Sequence, residues 1–196
     1  MNILFHHIRK TGGTFLRGVF DEVHGIKIDP CYTDADLRAC AEKIVSDEPG
    51  QMLVFGHRVA DIAAVAKAFR PDFLEVGMFR DPDEIIVSEY NYILATEGHA
   101  AHSEAMASPD AETFAMEHLR VNPILSDLGA RRPDKWYSFY DMKDAYRGIC
   151  EDMRIEPMRD VMRSIRQAHP TLPDLGGLNR RDYEFLREIN IVLPKK

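Results

Sequence analysis

Near the front of the chain a lysine, two threonines and two glycines stand together as Lys10-Thr11-Gly12-Gly13-Thr14. An apolar run at residues 3–8 precedes them, and apolar residues at Phe15, Leu16, Val19, Phe20 and Val23 follow. The order is strand, small-residue turn, helix. A turn of that kind leaves backbone N–H groups unpaired at a helix N-terminus, where the helix dipole also favours negative charge. Lys10 adds a mobile cation, and Thr11 and Thr14 add hydroxyls. The chemistry is that of a phosphate cradle; the alternative is an ordinary strand-to-helix turn with an exposed lysine. Lys10 precedes the glycines, whereas a Walker A loop places its lysine after them, so a standard nucleoside triphosphate loop is not indicated.

Arg80 and Ser88 form a second signal. A guanidinium at a strand end and a hydroxyl on the helix that follows can converge on one anion, and guanidinium geometry suits phosphate. Helix capping by the arginine and burial of the serine is the competing account. His57 is the third signal, set just after Gly56 at the end of a compact apolar run. A neutral imidazole there can take a proton from a hydroxyl near neutral pH; otherwise it bonds a neighbouring loop. His6 and His7 are adjacent, so on a strand they point to opposite faces and cannot both serve one site.

These residues need elements to hold them. Strands are predicted at residues 2–8, 51–57 and 72–79, with a fourth at 136–140. Helices are predicted at about 14–23, at 34–45 with Thr33 or Asp34 as N-cap, at 61–69 capped by Asp61, and at 84–95 with Pro82 in the first turn. Residues 97–110 read as a mobile connection or helical lid, 111–120 and 142–153 as helices, 157–168 as a basic helical pattern, and 181–188 as a short last helix. Successive strand–turn–helix units imply an α/β fold with a central parallel sheet flanked by helices. In such sheets ligands sit beyond the carboxyl ends of the strands, where all three signals fall.

At 196 residues the chain is expected to be a single domain, with a nucleotide-binding core at 1–95 and a more variable part at 96–196. The net charge of −7 speaks against a general nucleic-acid binder. Cys31, Cys40 and Cys150 are widely spaced without a CxxC pair, which suggests neither a disulfide framework nor a zinc site. With no apolar stretch near eighteen residues, no membrane insertion and a cytoplasmic location are expected.

Taken in order, FHHIRKTGGTFLRGVF, FGHR and FRDPDEIIVSEYNY resemble the sulfotransferases of the carbohydrate type that use 3′-phosphoadenosine 5′-phosphosulfate (PAPS). The likeness is to the branch that includes heparan and uronyl 2-O-sulfotransferases and small bacterial relatives, and it covers roughly residues 3–94. It implies a P-loop-nucleotide-hydrolase-like fold. It also implies that Lys10, Thr11, Gly12, Gly13 and Thr14 hold the 5′-phosphosulfate, that Arg80 and Ser88 grip the 3′-phosphate, and that His57 is the catalytic base with Lys10 stabilising the leaving phosphate. Glu75, Glu89 or a residue of the second half of the chain would otherwise serve as base.

The implied reaction moves a sulfuryl group from PAPS to a free hydroxyl on a carbohydrate, lipid headgroup or small alcohol. It leaves the 3′,5′-bisphosphate PAP as product and needs no metal. An ATP-dependent P-loop-like phosphotransferase and a non-catalytic PAP-binding protein of the same fold are the other two readings. This chain departs from the family pattern at Arg9, where a proline is usual, at Asp83 and Ile85, and after His57, where Arg58-Val59-Ala60 lacks the common aromatic neighbour. Arg180 and Arg181 either close over the 3′-phosphate or form a solvated basic turn.

Overall fold

The computed structural model describes residues 1–46, 50–118, 121–158, 175 and 177–193. The chain divides into two compact units, Met1–Phe79 with Asp127–Gln167, and Arg80–Ser126 with Ala168–Lys196.

The first unit holds a parallel sheet of five strands: β1 (Asn2–His6), β2 (Ile28–Pro30), β3 (Leu53–Gly56), β4 (Phe73–Phe79) and β5 (Lys135–Ser138). Their order is β2-β3-β1-β4-β5, with every neighbouring pair parallel. All five residues of β1 are buried, because a middle strand of a doubly covered sheet has no solvent face. Alternation along β1 divides the core into two layers. Ile3 and Phe5 pack with Leu16 and Phe20 from the segment after β1, and with Tyr146 and Ile149 of α8 (Met142–Met153). Leu4 packs on the other face with Cys40 and Ile44 of α2 (Asp34–Val45), and with Ile62, Ala63 and Ala66 of α3 (Val59–Phe69).

Local chemistry sets the helix ends. Thr33 caps α2, accepting from the Asp36 N–H while the Asp36 carboxylate accepts from the Thr33 N–H, a reciprocal capping box. Helix α3 starts at Val59, two residues before the expected start, and Asp61 is not its cap. Fully buried Val59 draws the first turn onto the sheet, and the Asp61 carboxylate instead accepts from Arg58 Nε at 2.9 Å.

One charge cluster lies on the α3 side of the sheet, with Glu75 and His6 buried at its centre. Glu75 of β4, 1% exposed, accepts from Arg131 through both carboxylate oxygens and pairs with His6 Nε2 at 2.9 Å and Lys67 Nζ at 3.2 Å. Asp134 adds 2.7 Å to Lys67 and takes the Glu75 N–H at 2.9 Å.

The second unit is helical: α4 (Pro82–Leu94), α5 (His102–Ala107), α6 (Ala111–His118) and α9 (Arg180–Glu188), with α7 (Pro123–Leu128) at the chain's return to the first unit. Asp81 caps α4 by accepting the Asp83 N–H, and Pro82 occupies its first turn. Ile93, Ala105 and Phe114 form one apolar cluster, and Ile86, Ala115 and Leu175 another. Asn179 and Asp182 are fully buried: Asn179 Nδ2 donates to Asp83, and Asp182 takes the N–H groups of Ile124 and Leu125. Part of the connection predicted at 97–110 is thus helix α5. From residue 159 on, the basic pattern at 157–168 lies outside the described residues.

Candidate functional site

The chain leaves β1 at His6, in the middle of the sheet, and turns within six residues into α1 (Gly13–Gly18), which runs on into a π-helical turn at Val19–Val23. Two backbone positions make the turn. Gly12 has φ 82°, where glycine carries no Cβ penalty. Lys10 has φ 59°, the left-handed region that costs a non-glycine residue about 1–2 kcal/mol. Strain of this kind persists where the surroundings over-determine it, and it concentrates at functional sites.

The surroundings here are specific. On one side of Lys10, fully buried Thr11 donates its hydroxyl proton to the Ile8 carbonyl at 2.7 Å. The Thr11 hydroxyl is therefore spent on bracing the loop. On the other side, the Arg9 N–H donates to Asp127 Oδ2 at 3.0 Å, and the Arg9 guanidinium reaches the same carboxylate at 3.3 Å and 2.7 Å. Arg9 thus has its charge answered by a carboxylate whose side chain is 5% exposed. Gly12 caps α1 with no side-chain hydrogen bond, so the first-turn N–H groups of Gly13 and Thr14 have no intrahelical partner; Gly13 is buried and Thr14 exposed.

His57 arrives by register. His6 lies opposite Gly56 in the β1–β3 pair, and one residue further His7 and His57 stack with ring centres 4.5 Å apart and planes 15° apart. His57 Nδ1 bonds the His7 backbone carbonyl. A carbonyl only accepts, so Nδ1 carries the proton and Nε2 is left as the basic nitrogen of the neutral ring. The ring is 37% exposed, and no hydrogen bond to Nε2 is found among the described residues. Asp127 Oδ2 lies 4.0 Å from Nδ1.

His7, by contrast, is buried, and its ring nitrogen bonds Tyr32 at 3.0 Å. Burial, then the neighbouring His57, lower its pKa from 6.5 to about 3, so it stays neutral. His6 points to the opposite face and pairs with Glu75, the separation expected for adjacent strand residues. Tyr32 completes the wall, edge-on to His57 at 5.2 Å, with Arg17 over its ring at 5.9 Å. Burial raises the Tyr32 pKa, against the pull of Arg17.

Gly13 permits this packing. A Cβ there would lie 2.1 Å from His7 Cδ2, closer than any side-chain contact allows. Gly13→Ala is therefore expected to displace His7 and to cost about 1–3 kcal/mol, as overpacking does. Thermal melts check the cost, and an unshifted melt would show that His7 yields freely.

Arg80 and Ser88 belong to the second unit. Arg80 Nε donates to Glu84 Oε2 at 2.8 Å, with both side chains largely buried. Ser88 lies one turn beyond Glu84 on the same face of α4. Arg80 is thus drawn toward the face that carries Ser88, with Glu84 as the carboxylate that a phosphate would have to compete with. Arg180, 82% exposed, pairs with Glu184 at 2.8 Å. Of the alternative bases, Glu75 is engaged by His6, Arg131 and Lys67, and Glu89 lies on α4 in the second unit.

Asp127, Tyr32, His7 and Arg17 join the site although their sequence context does not announce it. The one available signal was Arg9, a cation that needs a counter-charge when it is partly buried at the end of a strand. No family model matches this chain, and neither a curated protein nor a solved structure was found that does.

Proposed function

We propose that the chain is a PAPS-dependent O-sulfotransferase with a P-loop-like fold, acting on a hydroxyl of a carbohydrate, lipid headgroup or small alcohol. One observation carries the reading. A strained lysine-first glycine loop leaves the middle strand of a parallel sheet, and the register of the next strand sets beside it a histidine with its Nδ1 proton fixed and Nε2 available. Both groups lie at the carboxyl end of the strands, where α/β sheets bind ligands.

In this reading Nε2 of His57 takes the acceptor's proton as the acceptor oxygen bonds sulfur and the bond from sulfur to the 5′-phosphate oxygen breaks in line. Lys10 and the N–H groups of Gly13 and Thr14 meet the charge that develops on the departing phosphate. Arg80 and Ser88 are assigned the 3′-phosphate, the group that separates PAPS from ATP. The cations and amides answer the phosphate charge without a metal in the reaction.

Calorimetry with PAP, ATP and GTP, each with and without magnesium, tests the ligand. Metal-independent preference for PAP supports the proposal, and preference for ATP rejects it in favour of a phosphotransferase. Sulfate transfer from labelled PAPS across an acceptor panel tests the reaction, and PAP binding without any transfer would mark a binding protein. His57→Gln is expected to lower turnover at least about 10²-fold, the lower end of the range for a lost general base, with PAP affinity preserved. Near-normal turnover in that variant would remove His57 from the base role.

A further inference from the structure

We infer that Asp127 is a positioning residue, whose one carboxylate holds the strained Lys10 turn and sets negative charge beside the His57 ring. The inference rests on the reading above only for its catalytic consequence. The observations behind it are structural.

The β1 ladder has ended at His6, so the Arg9 N–H has no strand partner, and the same Asp127 oxygen accepts from that N–H and from the Arg9 Nε. The second oxygen takes the guanidinium at 2.7 Å. A carboxylate that holds both the backbone and the side chain of one residue restricts its direction. The family's usual proline has no N–H and achieves rigidity through its fixed φ. Here an ion pair does that work, 118 residues away in the chain.

Lys10, directly after this anchor, sits at φ 59°, and Thr11 closes the other side through Ile8. Without the anchor the turn is expected to relax toward ordinary φ values, because both the backbone and the side chain of Arg9 end on Asp127. The anchoring oxygen is also the one 4.0 Å from His57 Nδ1, so negative charge lies beside the ring where positive charge grows as Nε2 takes a proton. Asp127 is nearly excluded from solvent, and screening is correspondingly weak.

Hydrogen exchange read by mass spectrometry tests the anchor without any ligand. In Asp127→Ala the peptide covering residues 8–14 is expected to exchange at least about tenfold faster, while β3 and β4 keep their wild-type rates. PAP affinity then reads the consequence. Arg9→Ala and Asp127→Ala should each weaken it about tenfold, as expected when the competent loop becomes a minor conformer, and the double variant should be no weaker than either single one. Asp127→Asn keeps the shape without the charge, and is expected to lower turnover at saturating PAPS more than it lowers PAP affinity.

Unchanged loop exchange in Asp127→Ala overturns the inference. So does a double variant whose loss equals the product of the single losses. If Asp127→Ala does not fold, Arg9→Ala carries the exchange measurement, and wild-type loop rates there also overturn it. Wild-type protein that ignores PAP defeats the sulfotransferase reading alone, since the exchange result still decides the anchor.

Discussion

Lys10→Ala is expected to reduce sulfate transfer by about 10²–10³-fold, the usual loss when one stabiliser of developing charge is removed. Lys10→Gly should reduce it as much, because both substitutions remove the amine. The two differ in stability. At φ 59° an alanine keeps the left-handed strain and a glycine does not, so the glycine variant should be the more stable by about 1 kcal/mol. In a chain of this size that difference is about 2–4 °C in Tm. Kinetics and melts on the pair separate the roles of the side chain and the backbone. Equal melts would mean that Lys10 carries no strain, and full activity in either variant would mean that the amine does not act on the leaving group.

The second large effect belongs to Glu75. Burial alone would push its carboxyl upward, but hydrogen bonds from His6 and Arg131, with Lys67 adding to them, outweigh burial and lower its pKa from 4.5 to about 2. Between those values the unfolded chain binds a proton that the folded chain does not. Stability from Glu75 is therefore fully present above about pH 4.5 and is lost as the pH falls toward 2. The linked contribution is on the order of 3 kcal/mol at neutral pH. Glu75→Ala also strands the cations around it, and a broken buried ion pair costs about 3–5 kcal/mol. Urea unfolding at pH 7 and pH 3 checks this, with the gap between wild type and variant expected to narrow at the lower pH. A gap of equal size at both values would detach Glu75 from acid stability.

Local signals in the sequence were strong enough to place much of the architecture. Thr33, one of the two caps read for α2, and Pro82 in the first turn of α4 each act within one helical turn, so their neighbours in sequence are their neighbours in space. Strand β2 was missed because Ile28–Pro30 is three residues long and ends in a proline that an edge strand tolerates. Helix α7 was missed because its start is supported from α9, by Asp182 on the N–H groups of Ile124 and Leu125. At the site the same division holds. Lys10, Gly12 and Gly13 are legible because a turn is local. The stacking of His7 on His57 depends on β1–β3 register, and the Arg9–Asp127 contact on a return of the chain after more than a hundred residues. Neither leaves a trace in spacing.

The middle position of β1 has a consequence for how the chain acquires its structure. Ile3 pairs with Leu53 on one side and with Leu74 on the other. During synthesis β1 must therefore wait, as an apolar segment without partners, until two later strands have emerged. Closing such loops costs entropy before any pairing repays it, which makes sheet assembly slow compared with the formation of α2 or α8. The Lys10 turn, hung from the end of β1, can take its strained shape only after that assembly. The shape of that turn is then among the last features the nascent protein gains, and an exposed β1 is the segment a chaperone would meet first.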